Sequence, residues 1–265
     1  MENEAAIRLA AFLGLFILFA VLEAWAPRRK LSQPRPRRWF TNLALVVIDT
    51  LTTRAMAIVL PLLAVGAALD AQRQGWGLFN AVDWPLWVEV GLTILILDFA
   101  IWFQHMIFHK VPVLWRLHRV HHADRDIDVT TALRFHPIEI AASMLIKIGI
   151  VYLIGAPALG VILFEIILNG TAMFNHANIR LPLPVDRLVR QVLVTPDMHR
   201  VHHSVYRDEH DSNYGFALSV WDRLFRTYTD QPRDGHEGMT IGLPQYQDEG
   251  PTRLDWSLAL PFRRK

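Results

Sequence analysis

The chain has 265 residues, 52% of them apolar, and a mean hydropathy of +0.22, more apolar surface than a soluble domain of this length needs, so a membrane class follows. Lys and Arg (27) nearly balance Asp and Glu (25), and no basic stretch is interleaved with aromatic residues, which removes nucleic acid from the partners expected. There is no cysteine, so disulfides, thiolate zinc sites, iron–sulfur clusters and a cysteine nucleophile are excluded, and any metal must be held by histidine and carboxylate.

Taken in chain order, the first apolar stretch covers residues 5–26, with Arg8 and Glu23 near its ends, where their side chains can snorkel to the interface. It is preceded by Glu2 and Glu4, lacks a small-residue cleavage site and reads as a retained transmembrane helix rather than a signal peptide. A second stretch, 43–66, contains Asp49 and Arg54, and a third, 87–109, contains Asp98. A fourth region, 138–174, is too long for one span and is interrupted by Gly155, Ala156 and Pro157, which predicts a helical hairpin with two short arms. Lys147 and Glu165 fall at similar depths on those arms; they either pair across the hairpin or snorkel separately.

Orientation follows from the cations. Arg28, Arg29, Lys30, Arg35, Arg37 and Arg38 follow the first stretch, Lys110, Arg116, Arg119, Arg125 and Arg134 follow the third, and the intervening loop holds only Arg73. The positive-inside rule then places the N-terminus outside and both basic segments in the cytoplasm, together with residues 175–265. The end of the chain, from Trp256 to Lys265, is apolar and then cationic; it either lies on the membrane surface or packs over the rest of the protein. No repeat or linker divides the chain, so one membrane domain is expected: N-terminal helices over 1–94, a metal-binding region over 95–228 and a polar tail over 229–265. The fold class expected is all-α, with four to five transmembrane or re-entrant helices and a cytoplasmic histidine-rich helical cap.

All twelve histidines lie beyond residue 104. Most fall in three groups: His105-x3-His109, His118-x2-His121-His122 and His199-x2-His202-His203. On a helix, positions i, i+3 and i+4 share a face, so each group can aim two or three imidazoles at one point. Imidazole suits iron, zinc, copper or nickel, and eight converging rings exceed the complement of one zinc site, so two metals are the natural count. Asp98, one heptad before His105, either receives the outer N–H of a ligand imidazole or makes a buried helix–helix hydrogen bond. His-Glu-x-x-His, Gly-x-Ser-x-Gly and phosphate-cradling glycine loops are absent, which leaves hydrolase and nucleotide chemistry without support.

The order of the boxes, with Leu114-Trp115-Arg116-Leu117-His118-Arg119-Val120-His121-His122, resembles the fatty acid hydroxylase/sterol desaturase superfamily. Further stretches agree: Arg134-Phe135-His136-Pro137-Ile138-Glu139, Asn175-His176-Ala177-Asn178, Thr195-Pro196, Asn213-Tyr214-Gly215 and Trp221-Asp222-Arg223-Leu224-Phe225. The likeness runs from about Leu95 to Tyr228. It implies a membrane oxygenase in which two iron ions, replaceable by zinc on purification, activate O2 and attack a C–H bond of a lipid drawn from the bilayer, giving hydroxylation or desaturation. The ligands it implies are His105, His109, His118, His121, His122, His199, His202 and His203, with His136 and His176 as the ninth and tenth. Some members have a denser fourth box than the single His176 with Asn178 found here. No haem, flavin or nicotinamide motif is present, so the resemblance implies an external electron donor such as cytochrome b5 or ferredoxin on the cytoplasmic side. An integral location follows, in the plasma or inner membrane of a bacterium or the endoplasmic reticulum of a eukaryote. An ether-cleaving monooxygenase or metal-dependent lyase on the same scaffold, and a non-catalytic metal- or lipid-binding membrane protein, are the alternative readings.

Overall fold

The structure, a computed structural model, describes residues 4–59 and 63–263. In chain order the membrane half comprises α1 (Glu4–Trp25), α2 (Arg35–Val59), α3 (Ala64–Gln74), α4 (Leu86–Lys110), α5 (Pro112–His122), α6 (Pro137–Ile154) and α7 (Ala158–His176). All but α3 and α5 are long and apolar enough to cross a membrane, giving five candidate spans. One face of α1 packs inward through Phe19 with Phe12 and Phe16, while Ile7, Leu9, Leu13, Ile17 and Val21 are exposed, as expected of a helix whose outer face meets hydrocarbon.

The hairpin forms where the sequence predicts it. Gly155 ends α6 in the left-handed region (φ 66) and Pro157 caps α7; a Cβ at Gly155 would lie 2.6 Å from Asn80 Nδ2 and 2.7 Å from Trp76 O, so both conformation and space call for glycine. The arms have 18 and 19 residues, about 27–28 Å at 1.5 Å per residue, just short of the ~30 Å hydrocarbon core. Across them Lys147 Nζ donates to Glu165 Oε1 at 2.6 Å, and Arg8 of α1 donates to the other oxygen of the same carboxylate. The charges therefore pair instead of snorkelling apart.

Two local readings change. The second apolar stretch, predicted over 43–66, becomes a helix that starts at Arg35, then α3 after it, with residues 60–62 outside the described set. The early start has a polar cause. Arg38, on the first turn, donates to Asp124 Oδ1 at 2.8 Å and Asp128 Oδ2 at 2.6 Å, and Asn42, one turn on, donates to Asp124 Oδ2 at 3.2 Å. Burial alone would raise the Asp124 carboxyl, but the Arg38 guanidinium outweighs it and holds the group down to about 2. Glu23, read from sequence as a snorkelling residue, is instead buried: its Oε1 accepts from Val129 N at 2.6 Å and Asn178 N at 2.8 Å, fastening the end of α1 to the cap.

The cap is a set of short helices on irregular chain: α8 (Leu183–Val189), α9 (Pro196–His202), α10 (Arg207–His210), α11 (Val220–Leu224), α12 (Gly235–Gly238) and α13 (Leu254–Ala259). Among the described residues no strand occurs, only isolated bridges such as Leu193 with Leu218. The C-terminal segment packs on the cap: Trp256 and Leu260 join Leu45, Val120, Ala123 and Leu243 in one apolar cluster. Arg116 Nε and an Arg119 Nη atom donate to the carbonyls of Pro261 and Leu260 at 2.7 and 2.6 Å.

Candidate metal centre

The C-terminal end of α4, the whole of α5, the last residue of α7 and α9 meet at one end of the bundle and bury nine imidazoles there. They divide into two groups: His105, His109, His118, His122 and His202 in one, and His121, His176, His199 and His203 in the other, with the ligating atoms of each group all within 4.8 Å of one another. The groups abut: the His122 and His203 rings stack with centroids 4.7 Å apart.

The fold holds five of the nine rings through the outer nitrogen. His105 Nδ1 donates to Tyr214 O at 2.7 Å, His202 Nδ1 to Ser212 O at 2.6 Å, His176 Nδ1 to Ala172 O at 2.8 Å and His121 Nδ1 to Arg134 O at 3.2 Å. His118 Nδ1 meets a side chain instead, Glu139 Oε1 at 2.6 Å. The carbonyls of Ser212 and Tyr214 come from one tight segment. Its middle residue, Asn213, sits at φ 51, and its amide donates to the carbonyls of Met198 and Thr229 at 2.9 and 2.8 Å. Asp222 receives Tyr214 N, Gly215 N and Trp102 Nε1 at 2.9, 2.9 and 3.0 Å. A Cβ on Gly215 would lie 2.7 Å from Val194 Cγ2 and 3.0 Å from Asp222 Oδ2, so a glycine is required for this packing. On the other side Arg134 is fixed by Val120 O, Asn42 Oδ1 and Ser257 Oγ at 2.8, 2.8 and 2.9 Å, which sets the carbonyl that His121 uses.

These bonds determine the protonation pattern. A carbonyl only accepts, so the proton of His121 and of His176 is on Nδ1 and each Nε2 is a bare lone pair; yet those two Nε2 atoms face each other at 3.2 Å. With Glu139 as the acceptor carboxylate, the same holds for His105 and His118, whose Nε2 atoms are 3.0 Å apart. Burial pushes the His118 imidazole down to about 3. Burial, then the crowd of imidazoles, holds His121, His122, His199, His202 and His203 well below the ordinary histidine range, so protons do not relieve the opposed lone pairs. His122 Nε2, His202 Nε2, both His203 nitrogens and both His109 nitrogens are also buried without a hydrogen bond. A cation in each group would satisfy the opposed Nε2 atoms, His122 Nε2, His202 Nε2 and one nitrogen each of His109 and His203 together. Two nitrogens bound at about 2.0–2.1 Å to one ion stand roughly 3 Å apart, the spacing observed.

Of the sequence candidates, the three boxes and His176 are brought together. His136 lies apart: it caps α6, its Nδ1 accepting from Ile138 N at 3.2 Å, while its Nε2 stands 3.3 Å from Leu258 O. Asp98 receives Trp221 Nε1 at 2.8 Å and Leu218 N at 3.4 Å and reaches no imidazole. Two other carboxylates do reach ring nitrogens of the five-histidine group, Glu139 at His118 and Asp211, whose Oδ1 stands 3.5 Å from His109 Nδ1; neither was singled out, and for Glu139 the available signal was an acid on the first turn of an otherwise apolar helix, three residues after His136. Below the five-histidine group lies a cavity of about 260 Å³, walled by His105, His118 and Glu139 at one side and by apolar residues such as Phe12, Ile101 and Leu168 elsewhere.

The family model described as fatty acid hydroxylase matches residues 90–227. Among curated proteins, the chain is 28% identical over 262 residues to the ornithine lipid hydroxylase OlsE of Rhizobium tropici, covering 96% of this chain and 75% of that one. It is 31% identical over 168 residues to the alkylglycerol monooxygenase of Xenopus tropicalis, covering 62% and 35%, and 27% identical over 145 residues to a cholesterol 25-hydroxylase-like protein of Danio rerio, covering 52% and 55%. The chain thus spans three quarters of the first relative and about a third of the second. No solved structure matches it. The matched span contains all nine converging histidines together with Glu139, Tyr214 and Asp222, and the chain belongs to the fatty acid hydroxylase family.

Proposed function

We propose that the protein is an O2-dependent lipid hydroxylase of the membrane, with one iron in each histidine group. The observation that carries this reading is the pair of opposed, proton-free Nε2 atoms in each group, His105 with His118 and His121 with His176. Iron bound there supplies the redox chemistry that lets O2 oxidise an unactivated C–H bond. For hydroxylation, R–H, O2, two electrons and two protons give R–OH and water. Desaturation of the same substrate gives an alkene and two waters, and the names of the relatives favour hydroxylation.

The residues of this chain do the rest. The backbone carbonyls and Glu139 set tautomer and aim. The cavity walls bring a lipid from the bilayer against the face formed by His105 and His118 and keep bulk water away from it. Electrons come from a separate donor of the cytochrome b5 or ferredoxin kind docking on the cap, which we place in the cytoplasm by the distribution of Lys and Arg. Alkylglycerols remain a second substrate class on the strength of the relatives so named.

The test uses iron-loaded protein in vesicles with total lipid extract, a reducing system and 18O2. The expected result is lipid carrying one labelled oxygen in proportion to O2 consumed, lost in His105→Ala. Absence of tightly bound metal across preparations, or O2 uptake without lipid change, overturns the proposal.

A further inference from the structure

The cavity wall carries more polar chemistry than holding an alkyl chain requires. Gln104 Nε2 donates to Ser143 Oγ at 3.1 Å, Asn169 Nδ2 to Glu165 O at 2.8 Å, Lys147 is committed to Glu165, and Glu139 to His118. Asp49 is the exception. It lines the same cavity, is 6% exposed, and its Oδ1 is buried with no hydrogen-bond donor. It stands on α2 one heptad beyond Asn42 and so on about the same face, roughly 10 Å deeper at 1.5 Å per residue. No Arg, Lys or His lies within ion-pair distance of it among the described residues, and Glu139, an acid that lines the same cavity, has its own unpartnered oxygen, Oε2.

A buried acid with no donor at its Oδ1 and no cation near it is costly to ionise, so it keeps its proton until a group arrives that can take that proton and pair with the charge left behind. The one cation on the wall, Lys147, already has its partner. The missing group must then enter with the occupant of the cavity, and to satisfy an oxygen with no donor it must bring both positive charge and N–H. We infer that this site takes lipids bearing a primary amine, with Asp49 as the counter-ion that holds the ammonium in the cavity shared with His105 and His118. The inference rests on the reading of this cavity as the lipid site.

Binding tests it without requiring turnover. Metal-loaded protein in phosphatidylcholine nanodiscs is titrated with hexadecylamine and, separately, with hexadecanol, each displacing a fluorescent fatty probe. The amine is expected to bind about ten- to hundredfold more tightly than the alcohol, the range of a hydrogen bond to a charged group. Asp49→Asn should remove that preference while keeping alcohol binding and metal content, and Asp49→Glu should restore part of it. Because Asp49 has no donor to lose, Asp49→Asn should be at least as heat-stable as wild type. Equal binding of amine and alcohol by wild type overturns the inference and leaves the lipid site standing. A preference that survives in Asp49→Asn overturns it in favour of direct amine–metal ligation. Failure of both probes to bind overturns the inference and the cavity reading together.

Discussion

The two histidine groups are made of the same side chain, lie in contact and are buried alike, but their surroundings differ. His105 and His118 of the five-membered group form part of the wall of the membrane cavity, and His109 of the same group borders a separate crevice lined by Lys110, Trp115 and Asp211. No member of the four-membered group lines either space. The outer nitrogens differ as well: His121 and His176 lean on backbone carbonyls, whereas His118 leans on a carboxylate. A carbonyl fixes a tautomer and adds a dipole. A carboxylate adds a full charge and so raises the basicity of the ligand it supports. Under the proposed function the five-membered group would therefore be where substrate is met and where a side chain tunes the metal, while in the four-membered group His121 and His176 are held by backbone alone.

The largest expected effect breaks this asymmetry from the sealed side. His203→Ala removes one of four ligands where no neighbour can replace it, so iron content should fall from about two per chain to about one, with turnover lost. The same change at His122 leaves four imidazoles in a group of five and should lower metal content less. Metal analysis of the two variants side by side decides it: equal iron loss would mean that the two groups are one pooled site.

A smaller effect sharpens the comparison from the open side. Glu139→Gln keeps size and a hydrogen-bond acceptor but removes the charge behind His118. Both metals should stay, while the rate falls about 10–100-fold, the usual cost of losing such a partner. Unchanged kcat with unchanged iron would show that the carboxylate does no tuning.

How much of this was legible in the sequence depended on where the information resides. Box spacing is a helix-face property, so eight of the nine converging histidines could be read from it; His176 stands alone, and only the resemblance pointed to it. The hairpin was legible because Gly155 and Pro157 act locally, and the similar depth of Lys147 and Glu165 because depth follows from residue count, whereas the choice between pairing and separate snorkelling was left to the fold. The carbonyls of Tyr214, Ser212, Arg134 and Ala172 were not legible, since every residue has one and only the fold selects which faces a ring. Clustered arginines were read as a topology signal, yet Arg38, Arg119 and Arg134 are buried in cap contacts, so their abundance on one side also has a packing cause. Asp98 and Glu139 are both acids inside apolar helices; what separates them is the partner the fold brings, an indole from the cap for one and an imidazole of α5 for the other.

The smallest expected effect belongs to His136, which the resemblance counts among the ligands and the structure seats outside both groups. Its backbone is extended (φ −87, ψ 137), as a residue before proline must be, and that conformation turns its Nδ1 onto the free N–H of Ile138 at the start of α6. Loss of such a cap costs about 0.5–2 kcal/mol. The loss does not reach Glu139, whose own N–H bonds the His136 carbonyl at 2.8 Å, a backbone contact that alanine retains. His136→Ala should therefore keep both metals and most of its activity while lowering the unfolding temperature by a few degrees. His136→Asn, which can cap through its amide oxygen, should recover the stability. Loss of one iron in either variant would make His136 a fifth member of the four-histidine group and erase the difference in number between the two.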